Sequence, residues 1–199
     1  MKERILAVSD YVIVADRDIV NVKEAIKNKK YFDYFDLFGN NNPVELEIGC
    51  GKGKFIIEKA KNNPNINYIA VELLENIIVM AAEKAKALGL KNLKFFNSGA
   101  EYLQRYIKDG DVDNIYLNFS PPYPQKVYES RRLTSPRLVV AYKAFLRNGG
   151  AVYQKTDDKD FFEYSFEKFL QAGFNVEDVS LKLKEKKVEE IEELARRTW

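Results

Sequence analysis

Two acids and three glycines are the first residues with types and spacing that suggest chemistry. In Val44-Glu45-Leu46-Glu47-Ile48-Gly49-Cys50-Gly51-Lys52-Gly53, an apolar run carrying Glu47 leads into glycines at alternate positions. Lys54 to Ala60 follows with helical periodicity, so Gly49, Gly51 and Gly53 are expected at a strand-to-helix turn, where missing Cβ atoms let a ligand approach the backbone. A dinucleotide loop would read G-x-G-x-x-G, and a P-loop would follow Gly-Lys with Ser or Thr; Gly53 and Lys54 match neither. An acid before G-x-G-x-G suits S-adenosyl-L-methionine, whose ammonium and sulfonium are cationic and which brings no phosphate. A purely structural glycine turn is the other reading. The second acid, Glu72, closes the apolar run Asn67 to Val71. It stands about 20 residues beyond the first glycine, where a βαβ nucleoside site offers a carboxylate to ribose hydroxyls. As the first acid of a helix it would have an ordinary role as well.

A third candidate is the stretch from Asn118 through Ser120-Pro121-Pro122-Tyr123. An exocyclic base amine is a poor nucleophile, because its lone pair is delocalised into the ring. Ser-Pro-Pro-Tyr resembles the Asp/Asn/Ser-Pro-Pro-Tyr motif of amino-methyltransferases, and that resemblance implies that Ser120 and the Pro121 carbonyl hold the amine's protons while Tyr123 stacks on the base. A rigid Pro-Pro loop with Tyr123 packed on the domain is the plain alternative. Just beyond, Lys126, Arg131, Arg132 and Arg137 form the densest arginine-centred patch, suited to phosphates or to a solvated loop face. The chain has no histidine and one cysteine, Cys50. That removes the commonest general base, an intrachain disulfide and any Cys-based zinc site, and no metal is expected. The net charge of +2 requires any polyanionic partner to be met by a local patch.

The elements that must position these residues alternate along 199 residues, about one α/β domain. Strands are expected at Val44 to Ile48, Asn67 to Glu72, Leu93 to Phe96, Asn114 to Phe119, Ala151 to Lys155 and Asn175 to Leu181. Helices are expected at Lys54 to Ala60, Ile77 to Ala87, Ala100 to Ile107, Arg137 to Leu146 and Phe161 to Ala172. This order predicts a doubly wound, mostly parallel sheet with helices on both faces and a ligand site at the strand C-terminal ends. Residues 1 to 42 read as a lead-in: short apolar pieces, a lysine-rich bend at 27–30 and an aromatic cluster, Tyr31 to Phe35, expected to pack. Gly39-Asn40-Asn41-Asn42-Pro43 closes it as a turn. Residues 184–199 read as a charged outer helix. No apolar run approaches the ~20 residues of a membrane helix, and residues 1–6 lack a signal-peptide pattern, so a cytoplasmic protein is expected.

The sequence resembles the bacterial tRNA (guanine-N7)-methyltransferases, class I methyltransferases with a Rossmann-like fold. The resemblance rests on Phe38-Gly39-Asn-Asn-Asn-Pro43, the Glu-Ile-Gly-x-Gly-x-Gly loop, Arg131-Arg132-Leu133-Thr134, Lys155-Thr156-Asp157 and Phe162-Glu163-Tyr164-Ser165, in order from about residue 37 to about 183. It implies methyl transfer from S-adenosyl-L-methionine to N7 of a guanosine in the tRNA variable loop. It further implies that Glu47, Glu72 and the Asn97-Ser98-Gly99-Ala100 turn contact the cofactor, with Asn118 beside them. Gln125, Lys126, Arg131, Arg132, Thr156 and Asp157 would face tRNA. The chain departs from the family where Ser-Asp-Pro-Trp-Pro-Lys-Lys-Arg-His is expected: it has Ser120-Pro121-Pro122-Tyr123-Pro124-Gln125-Lys126-Val127-Tyr128. Gly99 replaces the acid of the family's Asn-x-Asp-Ala turn, and the chain stops at Thr198-Trp199, where a Thr-x-Tyr-Glu motif would begin. A shortened or weakened enzyme, a non-catalytic RNA-binding relative and an exocyclic amino-methyltransferase built on Ser-Pro-Pro-Tyr therefore stand as alternatives.

Overall fold

A computed structural model describes residues 2–16 and 21–179. Six parallel strands form one sheet: β1 (Val12–Val14), β2 (Val44–Ile48), β3 (Asn67–Glu72), β4 (Leu93–Asn97), β5 (Val112–Asn118) and β6 (Leu146–Lys155). Their spatial order is β1-β4-β3-β2-β5-β6. The direction of winding reverses at β2, between β3 and β5, which opens a crevice beyond the strand C-termini where such sheets bind ligands. Glu45 and Glu47 of β2 lie opposite Tyr68 and Ala70 of β3, and opposite Asn114 and Tyr116 of β5.

The helices are α1 (Lys2–Ala7), α2 (Val22–Lys27), α3 (Tyr34–Phe38), α4 (Lys54–Asn62), α5 (Glu75–Ala87), α6 (Pro136–Phe145) and α7 (Lys159–Gln171). Their ends follow local chemistry. Asn21, Asp33 and Asp158 cap α2, α3 and α7 with side-chain oxygens, Pro136 opens α6, and Gly39 ends α3 in the left-handed conformation. The central strands are buried on both faces, as parallel sheets require. One layer joins Ile56, Ile57, Ile78, Val79 and Ala82 of α4 and α5 to Tyr68, Ala70 and Phe95; the other joins Leu138, Tyr142 and Phe145 of α6 to Leu46, Ile69, Phe96 and Leu117.

The lead-in is partly built into the fold. Val12–Val14 adds a parallel edge strand beside β4, which its short apolar run did not announce. Phe32 packs on Phe96 and Tyr106 at centroid distances of 5.0 and 5.5 Å, as expected of the aromatic cluster, while Tyr31 and Phe35 stay exposed. Residues 100–105 wind as a 3-10 helix, not the longer α-helix expected. β6 begins at Leu146, earlier than Ala151, because residues 147–150 bulge out of register against β5 before pairing resumes at Asn114 and Ala151. Residues 174–179 form no strand, which corrects that part of the span from Asn175 to Leu181. A strand needs a pairing edge as well as a place in the strand-helix order, and local sequence does not specify that edge. Ser180 and Leu181, and the charged helix expected at 184–199, lie outside the described residues.

Candidate active site

The glycine loop closes β2 onto α4 at the reversal point. Gly49, Gly51 and Gly53 have φ of 78°, 53° and 74°, a region open to glycine at little cost. The Gly49 and Cys50 amides donate to the Val71 carbonyl at 2.9 and 3.0 Å, binding the loop to the end of β3. A Cβ on Gly53 would lie 2.9 Å from the Ala81 Cβ, so this glycine also lets the loop seat on α5. Glu72 reaches across to the same loop. Its Oε2 accepts from the Gly51 amide at 3.0 Å and its Oε1 from the Leu74 amide at 2.9 Å, at the start of α5. The ligand-side and helix-start readings of Glu72 thus coexist in one carboxylate, which keeps further lone pairs for hydroxyl donors.

Glu47 is 2% exposed, and its Oε1 accepts from the Asn118 amide at 2.9 Å. Its Oε2 has no partner. Burial pushes the carboxyl up to about 7, against the opposing pull of the Asn118 bond and of the nearby Ile56 backbone amide. A buried acceptor without a donor, beside a loop of left-handed glycines, fits a cationic ligand that would repay its desolvation. Among the described residues, Glu47 and Glu72 therefore suit S-adenosylmethionine through charge and hydroxyl acceptance.

The turn at residues 97–100 supports Glu72. The Asn97 side-chain amide donates to the Glu72 and Leu73 carbonyls at 2.9 and 3.0 Å, and the Ser98 amide to the Glu72 carbonyl at 3.2 Å. The Ser98 hydroxyl donates to the Gly99 carbonyl at 3.2 Å. A Cβ on Gly99 would meet the Glu101 carboxylate at 2.5 Å, and Ala100 starts the 3-10 helix that carries Glu101.

The Ser-Pro-Pro-Tyr loop leaves β5 through two unusual residues. Phe119 and Tyr123 are the only residues other than glycine with positive φ among those described, at 50° and 43°. For a bulky side chain this conformation costs about 1–2 kcal/mol. Between them the Ser120 hydroxyl is buried without a partner, and Pro121 is exposed. Arg132 holds the loop. Its guanidinium donates to the Tyr123 carbonyl from Nε at 3.2 Å and from Nη2 at 2.9 Å, while lying 4.2 Å from the Tyr164 ring centre. The Tyr164 hydroxyl donates to Glu129 at 2.9 Å. Arg132 is thus engaged with the loop backbone, a role that an arginine-rich run does not disclose.

Arg131 is exposed and stacks over Tyr128 at 4.7 Å, on the 3-10 helix Lys126–Arg131 that also exposes Gln125 and Lys126 to solvent. Leu133 passes under the cofactor loop, 3.4 Å from where a Gly49 Cβ would stand. Thr134 is fully buried and shares a 2.8 Å hydrogen bond with Ser165, which also accepts from Gln154 at 2.9 Å. The Arg-Arg-Leu-Thr and Phe-Glu-Tyr-Ser motifs therefore meet as architecture. Thr156 and Asp157 follow β6 beside Asn118, whose register partner is Lys155; the Thr156 hydroxyl accepts from the Asp158 amide at 3.1 Å, and Asp157 is exposed. The fold brings Glu47, Asn118, Glu72 and the glycine loop together directly, with Thr156 and Asp157 one strand away.

Comparison with known proteins agrees with this geometry. A family model described as "Putative methyltransferase" matches residues 41–197. A tRNA (guanine-N(7)-)-methyltransferase of Geobacillus sp. (strain WCH70) is 46% identical over 148 residues, 74% of this chain and 67% of the relative. The protein of that name from Bacillus licheniformis is 39% identical over 174 residues, 87% of this chain and 80% of the relative. Among solved structures, an antibiotic-related methyltransferase superposes with a TM-score of 0.56 at 20% identity, covering 77% of this chain and 82% of that one. The 16S rRNA methyltransferase KamB gives 0.54 at 19% identity, covering 75% and 78%; at such identities the likeness concerns the fold alone. With its glycine loop, paired acids and parallel sheet in place, the chain belongs to the tRNA (guanine-N7)-methyltransferase family of class I methyltransferases.

Proposed function

We propose that this protein, as a single methyltransferase domain acting in the cytoplasm, transfers a methyl group from S-adenosyl-L-methionine to N7 of a guanosine in the tRNA variable loop. The observation that carries this reading is the 46% identity, over 148 residues, to a relative named for that reaction. No helix among the described residues is long and apolar enough to cross a membrane.

When bound, the cofactor supplies a sulfonium-linked methyl group open to in-line displacement. Guanine N7 presents an in-plane lone pair and no proton, so the chain has to position the base and need not remove a proton from it. That demand accords with a sequence without histidine and with Pro121 where the family's acid is expected. Glu47 receives cationic charge in a dry setting, Glu72 receives hydroxyls, and the glycine loop leaves room for both. Ser120, two residues beyond Asn118, offers an unpartnered buried hydroxyl. Arg132 fixes the loop backbone at Tyr123, while Arg131, Lys126 and Gln125 face solvent where RNA would pass. Thr156 and Asp157 flank the same end of the sheet.

The test is methyl transfer from labelled S-adenosylmethionine to unmodified tRNA, with digestion and identification of the product nucleoside. N7-methylguanosine is expected. An exocyclic N-methyl nucleoside would replace this reading with amine chemistry at Ser120, Pro121 and Tyr123. No incorporation by folded protein that binds the cofactor would overturn it in favour of a non-catalytic relative.

A further inference from the structure

Phe119 stands apart from the phenylalanines of the core. It is 65% exposed, whereas Phe95, Phe96 and Phe145 are buried in the core. It makes no ring contact among the described residues, although nearby Tyr116 and Tyr153 stack on one another at 5.3 Å. Its backbone is fixed: the amide donates to the Lys155 carbonyl at 2.8 Å, continuing the pairing of β5 with β6, and φ is 50°. Glycine or asparagine would make this turn at lower cost. A large ring held outward in a strained conformation, between Asn118 on Glu47 and the buried Ser120 hydroxyl, has no packing reason. Strained backbone that the surroundings hold in place gathers at functional sites.

We propose that Phe119 is the stacking platform for the target guanine, a role that rests on the proposed function. A flat apolar ring can bind the face of a base without hydrogen bonds, and thereby leaves the N7 edge free to meet the methyl donor. The position suits this: Phe119 is the first residue after β5, at the ligand end of the sheet and next in the chain to Asn118, which bonds Glu47. Tyr123, the other aromatic at positive φ, is half-buried and tied through its carbonyl to Arg132, so Phe119 is the ring more open to an incoming base.

The test compares wild type with Phe119→Ala, Phe119→Gly and Phe119→Trp. The glycine variant accepts the native φ without strain and keeps the question answerable if the alanine variant folds poorly. Loss of the ring is expected to raise KM for unmodified tRNA by about tenfold, with unchanged affinity for S-adenosylmethionine, and Phe119→Trp is expected to restore it. Phe119→Trp in a Trp199→Phe background carries one tryptophan, whose emission tRNA should quench by stacking. If wild type transfers no methyl group to tRNA, the proposed function fails, and stacking is then decided by the tRNA dissociation constants and the quenching. Unchanged tRNA affinity in both ring-less variants, or emission indifferent to tRNA, would overturn the role of Phe119.

Discussion

The Asn118 side chain donates to the buried Glu47 carboxylate at 2.9 Å, joining the C-terminal ends of β5 and β2 where the sheet reverses its winding. With one oxygen bonded and the other unpartnered, Glu47 holds its proton up to about 7, chiefly through burial. The folded chain therefore binds this proton more tightly than the unfolded one. The resulting stability is fully present below the ordinary carboxylate range and is lost as pH rises through about 7. Between pH 4.5 and 7.5 the wild type is expected to lose about 3 kcal/mol relative to Glu47→Gln. Urea titrations of both proteins across that range check this, and a constant difference between them would refute it.

The same carboxylate predicts a pH-dependent cofactor affinity. A cationic ligand favours ionised Glu47, so S-adenosylmethionine should bind more tightly as pH rises towards 7 and level off above it. Calorimetry should show the rise in wild type and a flat, weaker response in Glu47→Gln. An identical rise in both proteins would assign the dependence to another group.

Glu72 bonds the Gly51 and Leu74 amides, so its loss affects both the loop and the ligand. Glu72→Ala is expected to weaken S-adenosylmethionine binding by roughly 1–3 kcal/mol. Unchanged affinity by calorimetry would remove Glu72 from the site.

Gly53 allows no side chain. Its φ of 74° disfavours a Cβ, and that atom would lie 2.9 Å from Ala81 and 3.1 Å from Ile57. Gly53→Ala should destabilise the fold by about 2–4 kcal/mol, the sum of backbone strain and overpacking. Gly51→Ala, with open space around its Cβ, should cost only the backbone part. Thermal unfolding of the pair gives the comparison, and equal losses would contradict the packing argument.

The two neighbouring arginines should separate in kinetics. Arg132 grips the Tyr123 carbonyl, so Arg132→Ala should lower kcat, and lysine, lacking the planar fork, should not restore it. Exposed Arg131 should act on tRNA affinity instead, with Arg131→Ala flattening the logarithmic salt slope by about 1. A flattened slope in Arg132→Ala and none in Arg131→Ala would reverse the assignment.

Much of the cofactor side was legible because its signals are local. Strand, glycine turn, helix and next acid follow one another within about 30 residues, and periodicity with turn chemistry is enough to order them. Arg132 was legible only as a charge: its bonds to Tyr123 and its contact with Tyr164 arise after the loop has folded back on α7. The motif residues Thr134 and Ser165 likewise pointed to ancestry, and their shared hydrogen bond appears only when α6 and α7 pack together.

The sequence by itself determined the alternation of strands and helices, the glycine loop, the candidate acids and the family. Each of these is written in neighbouring residues, through side-chain period, absent Cβ atoms or the order of short motifs along the chain. Tertiary structure alone decided that Val12–Val14 joins the sheet edge, that Asn118 meets Glu47, and that Phe119 faces solvent at positive φ. The physical reason is strand order: which distant residues meet, and how far burial shifts a carboxyl, depend on neighbours supplied by β3, β4, β5 and β6, and no local pattern encodes them.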